Sequence, residues 1–433
     1  MTPAARIASA VEVIASIDAM RVPAAQALKE WGIAHRFAGS GDRAAISGLV
    51  YDTLRRRASS TYLLGEDTAR ARVLGMLKLE RGLDVEAIAK LCSGERHAAE
   101  QLNERERAAL TSATLEGAPP YIVGDYPEWL DGAFTRVFGD ERVAETTAMS
   151  HRAPLDLRVN TLKADRDKVR ASLRHLRAEP TPWSPVGLRI LLDADARSPG
   201  IQAEPDFIKG AIEVQDEGSQ LAALFADARE GDTVVDLCAG AGGKTLALAA
   251  AMRGRGRLIA TDADKRQLAP IHERLKRAGV HNVEVRTPKG DDDPLDDLAG
   301  RCDLVVIDAP CTGTGTWRRN PDAKWRMRAG ALEIRIRDQI EVLDRAVPLL
   351  KRGGRIAYIT CSVLQEENST QISAFIARHN DFAPVPPTEV AAKLGLSAKG
   401  FCNSVRLFDE GLLMTPHRTG TDGFFVAVLK RPQ

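Results

Sequence analysis

The sequence has few cysteines and no long uncharged apolar run. Only six of its 433 residues are cysteine, and no two of them form a Cys-x-x-Cys pair. Neither a disulfide scaffold nor a zinc site is therefore predicted, and reduced thiols in the cytoplasm are expected. No uncharged apolar run approaches the roughly 20 residues that a membrane helix needs. Arg6, Glu12 and Asp18 interrupt the apolar N-terminal stretch, which argues against a signal peptide.

The sequence also has almost no net charge, because 60 basic residues stand against 59 acidic ones. This balance excludes a globally basic nucleic-acid binder, although charge can still be sorted locally. Residues 151–190 hold nine basic against four acidic residues, and residues 317–328 hold five against one. A solvated protein face is the commoner explanation of such clusters. With 44% hydrophobic residues, the chain is that of an ordinary globular protein with room for two or three domains.

The periodicity of apolar residues predicts three successive regions. Residues 1–118 show helical spacing only, and residues 121–205 mix short strands with a charged helix, which predicts a small α+β unit. From 206 to 433 strands alternate with helices, which predicts a doubly wound parallel sheet that ends in an antiparallel hairpin. The predicted strands of this third region include 233–237, 257–261, 282–286, 303–307 and 355–359, with 405–414 and 423–430 as the hairpin.

The most informative local pattern is a glycine turn between a strand and a helix at residues 236–245, Asp-Leu-Cys-Ala-Gly-Ala-Gly-Gly-Lys-Thr. Glycines let the backbone approach a ligand, and a helix N-terminus favours an anion. A dinucleotide site would have glycine in place of Thr245, and a nucleoside-triphosphate loop would have it in place of Cys238. S-adenosylmethionine needs an acid after the next strand, where Asp262 stands. By itself the turn leaves these three classes open, as well as a merely structural turn.

Two cysteines follow predicted strands directly. Cys311 lies three residues after Asp308, and Cys361 follows the strand 355–359. Loops at the carboxyl ends of parallel strands face the ligand crevice, so both thiols are expected on the cofactor side. The remaining cysteines at 92, 302 and 402 are interpreted as core packing, which is the commoner role of a lone cysteine.

A thiol beside a methyl donor favours one reaction class. Carbon 5 of a pyrimidine is too weakly nucleophilic to attack a sulfonium methyl, but addition of a thiolate at carbon 6 makes it enamine-like. Methyl transfer, loss of the carbon 5 proton and elimination of the cysteine complete the cycle, which is covalent catalysis. Because the nucleophile must be ionised, a lowered thiol pKa is required.

Five motifs, in order, resemble those of the S-adenosylmethionine-dependent RNA cytosine-5 methyltransferases of the RsmB/Sun (NOP2/NSUN-type) group. They lie at 214–219, 236–244, 308–325, 360–368 and 422–425. The resemblance implies a C-terminal Rossmann-like class I methyltransferase domain at 206–433 with a mostly parallel seven-stranded sheet. It implies, with a weaker likeness, an N-terminal all-α, NusB-like RNA-binding domain at 1–118, and a small RNA-binding subdomain at 121–205 lies between them.

The resemblance also assigns the site residues. Cys361 would be the nucleophile and Cys311 would assist product release. The cofactor pocket would comprise Cys238, Ala239, Gly240, Ala241, Gly242, Gly243, Lys244, Asp262, Asp291 and Asp308. Two departures stand out: Ala241 replaces the usual proline, and Asp291 lies in an acidic run that is equally well explained as a solvated loop.

An RNA substrate gives the basic clusters a role. Arg318, Arg319 and Lys324 are predicted to contact it, with Trp317 or Trp325 stacking on bases. Small-subunit ribosomal RNA is favoured over transfer RNA, and a cytoplasmic monomer without metal or membrane attachment is expected. Two rival interpretations are a non-catalytic RNA-binding assembly factor and a P-loop NTPase, the second weakened by Cys238.

Overall fold

A computed structural model of the chain describes residues 1–192, 199–288 and 293–432. Its contacts divide the chain into two compact units. The helical unit consists of Met1–Arg152 and Trp317–Arg328. The larger unit consists of Ala153–Leu192 and of the described residues of 199–316 and 329–432. The three domain boundaries drawn from the sequence stay predictions.

The described residues form twenty-two α-helices. They are α1 (Pro3–Met20), α2 (Ala24–Ala34), α3 (Ser40–Arg55), α4 (Arg57–Leu64), α5 (Ala69–Leu79), α6 (Val85–Leu91), α7 (Glu104–Ser112), α8 (Pro120–Val123), α9 (Asp131–Phe138), α10 (Arg142–Ser150), α11 (Arg166–Ser172), α12 (Pro205–Ile208), α13 (Glu217–Phe225), α14 (Gly243–Ala251), α15 (Lys265–Leu268), α16 (Ile271–Ala278), α17 (Pro321–Arg326), α18 (Ala331–Ala346), α19 (Ser369–Arg378), α20 (Pro387–Lys393), α21 (Phe401–Ser404) and α22 (Pro416–Thr419). None of these described helices has both the length and the apolar character that crossing a bilayer requires.

Thirteen strands lie in the same described ranges. They are β1 (Leu155–Val159), β2 (Glu179–Pro180), β3 (Gly187–Ile190), β4 (Ile212–Val214), β5 (Thr233–Asp236), β6 (Arg257–Thr261), β7 (Val283–Arg286), β8 (Cys302–Asp308), β9 (Leu350–Thr360), β10 (Ala383–Pro384), β11 (Arg406–Leu407), β12 (Leu412–Met414) and β13 (Phe424–Lys430).

The helical unit is built from α1–α10 and, unexpectedly, α17. Helix α1 begins after Thr2, whose hydroxyl accepts a hydrogen bond from the Ala5 N–H at 3.2 Å, and its apolar residues recur at helical spacing. They join one core with α3 and α5. Helix α17 belongs to this unit although 170 residues separate it from α10 in the chain.

A small antiparallel sheet with the order β2-β3-β1-β4 belongs to the larger unit. The inward residues Leu157 and Val159 of strand β1 are buried with Leu188 and Ile212. Helices α11 and α12 accompany the sheet, and Asp165 caps α11 by accepting from two backbone N–H groups. This arrangement is the small α+β unit that the sequence predicts.

The main sheet has the order β11-β12-β13-β9-β8-β5-β6-β7, with β10 paired to β13. Strands β5 to β9 are parallel to their neighbours among themselves, whereas β10, β11, β12 and β13 pair antiparallel. Seven of these strands have three or more residues, and two-residue strands add β10 and β11. The predicted Rossmann-like fold with an antiparallel end is therefore confirmed.

The order of the strands fixes where a ligand can bind. Strand β5 pairs with β6 on one side and with β8 on the other, so the chain reverses its direction of travel across the sheet at β5. In such sheets the crevice lies outside the carboxyl ends of the strands at this switch point. The loops that follow β5, β6, β8 and β9 carry most of the predicted site residues.

Candidate active site

A cleft of about 770 Å³ opens at the carboxyl ends of β5, β6, β8 and β9. The cleft contains most of the predicted site residues. Its lining includes Cys238, Ala239, Gly240, Ala241, Gly243, Lys244, Asp262, Asp308, Cys311 and Cys361. Gly242 does not line it, and Asp291 lies outside the described residues, so its predicted contact stays a prediction.

The glycine turn is shaped by two left-handed residues, Gly240 (φ +49°) and Gly242 (φ +82°). A Cβ at Gly242 would lie 2.4 Å from Ile271 Cγ1, so only glycine fits there. A Cβ at Gly240 would meet no protein atom within 4 Å, which leaves this part of the backbone accessible to a ligand. Helix α14 begins at Gly243, and its first backbone N–H groups are presented at the cleft.

Asp262 closes one side of this turn. Its Oδ2 accepts a hydrogen bond from the Gly240 N–H at 2.9 Å, and its Oδ1 accepts from the Asp264 N–H at the same distance. The carboxylate is thus held in place by the backbone after β5 and the backbone after β6. A fixed carboxylate at the end of the second strand is suited to accept hydrogen bonds from two vicinal hydroxyls.

Asp236, the last residue of β5, is completely buried. The Thr245 hydroxyl donates to its Oδ2 at 2.7 Å, which joins the end of β5 to the first turn of α14. Burial, together with the negative charges of Asp308 and Asp262, raises the pKa of Asp236 to about 7. Asp236 therefore supports the turn from beneath and does not face the cleft.

Lys244 and Asp308 form an ion pair in the wall of the cleft. Lys244 Nζ lies 2.7 Å from Asp308 Oδ2, and the ammonium also lies 4.9 Å from the centroid of the Phe424 ring. The Lys244 side chain is buried, while about a third of the Asp308 side chain remains exposed. The pair joins the glycine turn to the loop after β8 and keeps the Asp308 carboxylate facing the cleft.

Cys311 and Cys361 meet at the same end of the sheet. Their Sγ atoms lie 3.4 Å apart, and both thiols are free. The hydrogen bond to the Cys361 thiol, together with burial, raises the pKa of the Cys311 thiol well above its usual value. This raised pKa favours the protonated form of the Cys311 thiol, and both thiols line the cleft.

Glu367 holds the two cysteine loops together, a role that the sequence does not reveal. Its carboxylate accepts from the Thr312 N–H at 2.8 Å and from Gln339 Nε2 at 3.1 Å. Gln339 Nε2 also donates to the Pro310 carbonyl at 3.0 Å. Residues on both sides of Cys311 are thus bonded to a network that starts six positions after Cys361.

Helix α18 contributes a charged face that the sequence analysis missed. Arg335, Asp338, Val342 and Arg345 line the cleft. Their spacing of three and four residues places them on one side of the helix, and this periodicity is the signal that could have identified them.

The structure corrects the predicted RNA contact of Lys324. Its ammonium is buried within the helical unit and donates to the Asp125 carbonyl at 2.6 Å, the Arg55 carbonyl at 3.2 Å and the Ser150 hydroxyl at 3.2 Å. Burial lowers the pKa of Lys324 to about 7. Its three acceptors leave the ammonium no access to a phosphate, so we assign Lys324 a structural role.

Trp317 is also unsuited to the base stacking considered for it. Its ring is buried edge-on against Phe134, with 5.8 Å between the centroids. Arg318 is buried as well, whereas Arg319 is partly exposed, so their predicted contacts with a substrate stay predictions. Trp325 is half-buried, and its indole N–H donates to the Leu54 carbonyl at 2.6 Å.

The residues of the cleft fit S-adenosylmethionine. The N-terminus of α14 and the open backbone at Gly240 can receive the amino-acid end of the cofactor, and Asp262 can accept from its ribose hydroxyls. The two thiols lie in the wall of the same cleft. Within the described ranges, no group of three or more His, Cys, Asp or Glu residues could hold a metal ion.

Comparisons with known proteins agree with this geometry. Residues 223–430 match a family model described as 16S rRNA methyltransferase RsmB/F, and residues 126–196 match the ferredoxin-like domain of RsmF/B-like methyltransferases. The ribosomal RNA small subunit methyltransferase B of Photorhabdus laumondii is 31% identical over 330 residues, which cover 76% of this chain and 71% of that protein.

Two solved structures share the fold. PH0851 has a TM-score of 0.73 at 24% identity and is matched over 100% of this chain and 99% of its own. NSun6 from Pyrococcus horikoshii, solved with SFG, has a TM-score of 0.59 at 21% identity, over 72% of this chain and 100% of its own. The cofactor of the family is S-adenosylmethionine, as the resemblance of the motifs implies. This chain belongs to the RsmB/F family of 16S rRNA methyltransferases.

Proposed function

We propose that this protein methylates carbon 5 of a cytosine in small-subunit ribosomal RNA through a covalent bond from Cys361 to carbon 6. The single observation that carries the proposal is the approach of Cys311 and Cys361 Sγ to 3.4 Å in the wall of the cofactor cleft. One thiol is needed to activate the ring and a second group is needed to complete its release. Transfer RNA remains the alternative substrate.

The two thiols account for the activation of the ring and for its release. The Cys361 thiolate forms a bond to carbon 6 of the ring, and the electron pair of the 5,6 double bond moves to carbon 5. Bound S-adenosylmethionine would supply the methyl group to carbon 5, with the S–CH3 bond broken and S-adenosylhomocysteine left as the neutral thioether. Loss of the carbon 5 proton to a base then expels Cys361 as a thiolate and restores the double bond. The leaving thiolate can be stabilised by the protonated Cys311 thiol, which already shares a hydrogen bond with it.

Asp308 can contact the exocyclic amino group of the target cytosine. Its carboxylate faces the cleft and is held by Lys244 at 2.7 Å. A carboxylate can accept a hydrogen bond from the cytosine amino group, which uracil lacks. The cytosine must leave any base stack to reach this depth, so a single-stranded or looped segment is favoured.

The substrate class rests on the relatives. The Photorhabdus relative is named a ribosomal RNA small subunit methyltransferase, and we extend that substrate to this chain. A non-catalytic assembly factor would not need two thiols held together by Glu367 and Gln339 at the cofactor cleft.

The proposal is tested with alanine variants of the two thiols and labelled S-adenosylmethionine. Cys361→Ala should abolish transfer of the methyl label to small-subunit rRNA and should form no covalent adduct. Cys311→Ala should accumulate an RNA adduct that survives denaturing electrophoresis, because release is impaired. Cys402→Ala, a half-buried thiol that does not line the cleft, serves as the matched control and should keep full activity.

Two results would contradict the proposal, one for the roles of the thiols and one for the RNA substrate. If Cys361→Ala retained the adduct while Cys311→Ala lost it, the roles of the two thiols would be exchanged. If the wild-type protein transferred methyl label to transfer RNA and none to ribosomal RNA, the substrate would be the alternative one. Nucleoside analysis of the labelled RNA should yield 5-methylcytidine.

A further inference from the structure

A second cleft lies wholly within the helical unit, between the end of α1, the corner of α3 and α4, and α17. Its volume is about 420 Å³. Four arginines, Arg21, Arg57, Arg326 and Arg328, line it together with two aspartates. This excess of guanidinium groups suits an anionic ligand.

Both aspartates already have partners within the unit. Asp18 Oδ2 accepts from Arg72 Nη1 at 2.6 Å, and Arg72 is not part of the cleft lining. Asp322 Oδ2 accepts from the Ala24 N–H at 3.2 Å and from Arg326 Nε at 3.1 Å. Arg326 is thus paired with Asp322, and Arg57 is paired with Asp67 at 3.4 Å. The positive potential of the cleft therefore comes from Arg21 and Arg328, which are exposed at its rim.

Trp325 provides a fixed flat surface in this cleft. Its indole N–H is bonded to the Leu54 carbonyl at 2.6 Å, and its ring remains partly exposed. The Arg57 guanidinium carbon lies 5.4 Å from the ring centroid. Indole rings and guanidinium planes are both surfaces on which unstacked RNA bases pack.

We infer that this cleft binds a nucleotide in a single-stranded segment of the RNA substrate, with its phosphate at Arg21 and Arg328 and its base against Trp325 and Arg57. The inference rests on the proposed function for the nature of the substrate, and it adds a site apart from the methyl-transfer cleft. Flat groups beside guanidinium groups distinguish this site from a general basic surface, because they match both parts of a nucleotide.

The chain connectivity adds a reason for an RNA ligand. Five residues separate Cys311 from Trp317, where the segment that carries α17 begins. The loop that carries one catalytic thiol therefore continues directly into the segment that supplies Trp325, Arg326 and Arg328. RNA bound in the cleft contacts the same stretch of chain that leaves the reaction centre.

The test reverses charge at the rim of the cleft in the full-length protein. The Arg21→Glu, Arg328→Glu double variant is compared with Arg36→Glu, Arg105→Glu, which reverses two exposed arginines of the same unit outside the cleft. The probes are a fluorescein-labelled single-stranded RNA 12-mer and a small-subunit rRNA transcript. The first variant should weaken binding of both RNAs at least tenfold, and the slope of log Kd against log salt should fall by about 1.4, or about 0.7 for each of two lost phosphate contacts.

The control variant should bind within twofold of wild type. Trp325→Ala should weaken binding of the 12-mer, and Trp325→Phe should restore most of it. If Trp325→Ala fails to fold, the RNA affinity of the Arg21→Glu, Arg328→Glu variant alone tests the inference. Equal binding by the rim and control variants would overturn the inference.

Two further outcomes separate this inference from its alternatives. If the rim variant bound naked RNA normally but lost binding to an assembled small ribosomal subunit, the cleft would contact a protein and the inference would be overturned. RNA binding is measured by the fluorescence anisotropy of the labelled 12-mer. This measurement needs no methyl transfer, so it also applies to a protein that transfers no label. Loss of labelling with normal cleft-dependent RNA binding would contradict the proposed function alone.

Discussion

The Glu367 carboxylate accepts a hydrogen bond from the Thr312 N–H at 2.8 Å, so the loop after β9 fixes the residue that follows Cys311. The distance between the Cys311 and Cys361 sulfurs therefore depends on a residue that does not itself line the cleft. Burial raises the pKa of Glu367, which shows that the carboxylate lies in surroundings that disfavour its charge. Its hydrogen bonds offset that cost.

Glu367→Ala should lower kcat by about tenfold or more and reduce the free energy of unfolding by about 2–4 kcal/mol, because buried donors at Thr312 and Gln339 lose their acceptor. Glu367→Gln keeps one acceptor oxygen and should recover most of both quantities. KM for S-adenosylmethionine should change little in either variant. Normal activity of the alanine variant would show that the loops hold their positions without Glu367.

Asp262→Ala should weaken binding of S-adenosylmethionine by about 10- to 100-fold, the range expected for loss of charged hydrogen bonds worth about 1.5–3 kcal/mol. Isothermal titration calorimetry measures the Kd directly. Asp264→Ala is the matched control, because Asp264 also lines the cleft but only its backbone N–H contacts Asp262. Equal Kd values for the two variants would remove Asp262 from the cofactor site.

Asp236 should make stability depend on pH. Its folded pKa of about 7 lies above the ordinary value of 3.8, so the folded state binds the extra proton and its stabilisation is complete below pH 4. Stability should fall as pH rises from about 4 through about 7, by at most roughly 4 kcal/mol. Urea denaturation at pH 5 and pH 8 should show this loss in wild type and a smaller one in Asp236→Asn. Identical pH dependence in both proteins would contradict the burial argument.

Lys324→Ala should destabilise the protein by about 3 kcal/mol, because it removes a buried ammonium and leaves the Asp125 and Arg55 carbonyls without their donor. Urea denaturation measures this loss. Arg319→Ala, a partly exposed position in the same segment, is the comparison variant. If Lys324→Ala instead kept full stability and weakened RNA binding, the sequence-based assignment of Lys324 to the substrate would be right after all.

Local sequence patterns are enough to predict the methyltransferase fold, but they do not predict where the basic residues of 317–328 lie. Strand β6 has the predicted bounds, and the glycine turn, Asp262 and both thiols line one cleft, because strand ends and turn residues are encoded within a few positions. Strand β9 begins five residues earlier than predicted, because Leu350 already pairs with Cys302 of β8 ahead of a register shift. Local patterns cannot predict the burial of Lys324, because its partner Asp125 lies 199 positions away in the sequence.

The position of α17 limits how this protein can be divided. A fragment that starts at Ala153 would retain Trp317 and Lys324 without Phe134, Asp125 and the other groups that bury them. Such a fragment would expose the Trp317 indole and leave the Lys324 ammonium without its acceptors. We expect it to aggregate even if its methyltransferase domain folds correctly. A truncation therefore tests the role of the helical unit only if residues 317–328 are replaced by a short polar linker at the same time. A chimera made with a relative must exchange residues 1–152 and 317–328 together.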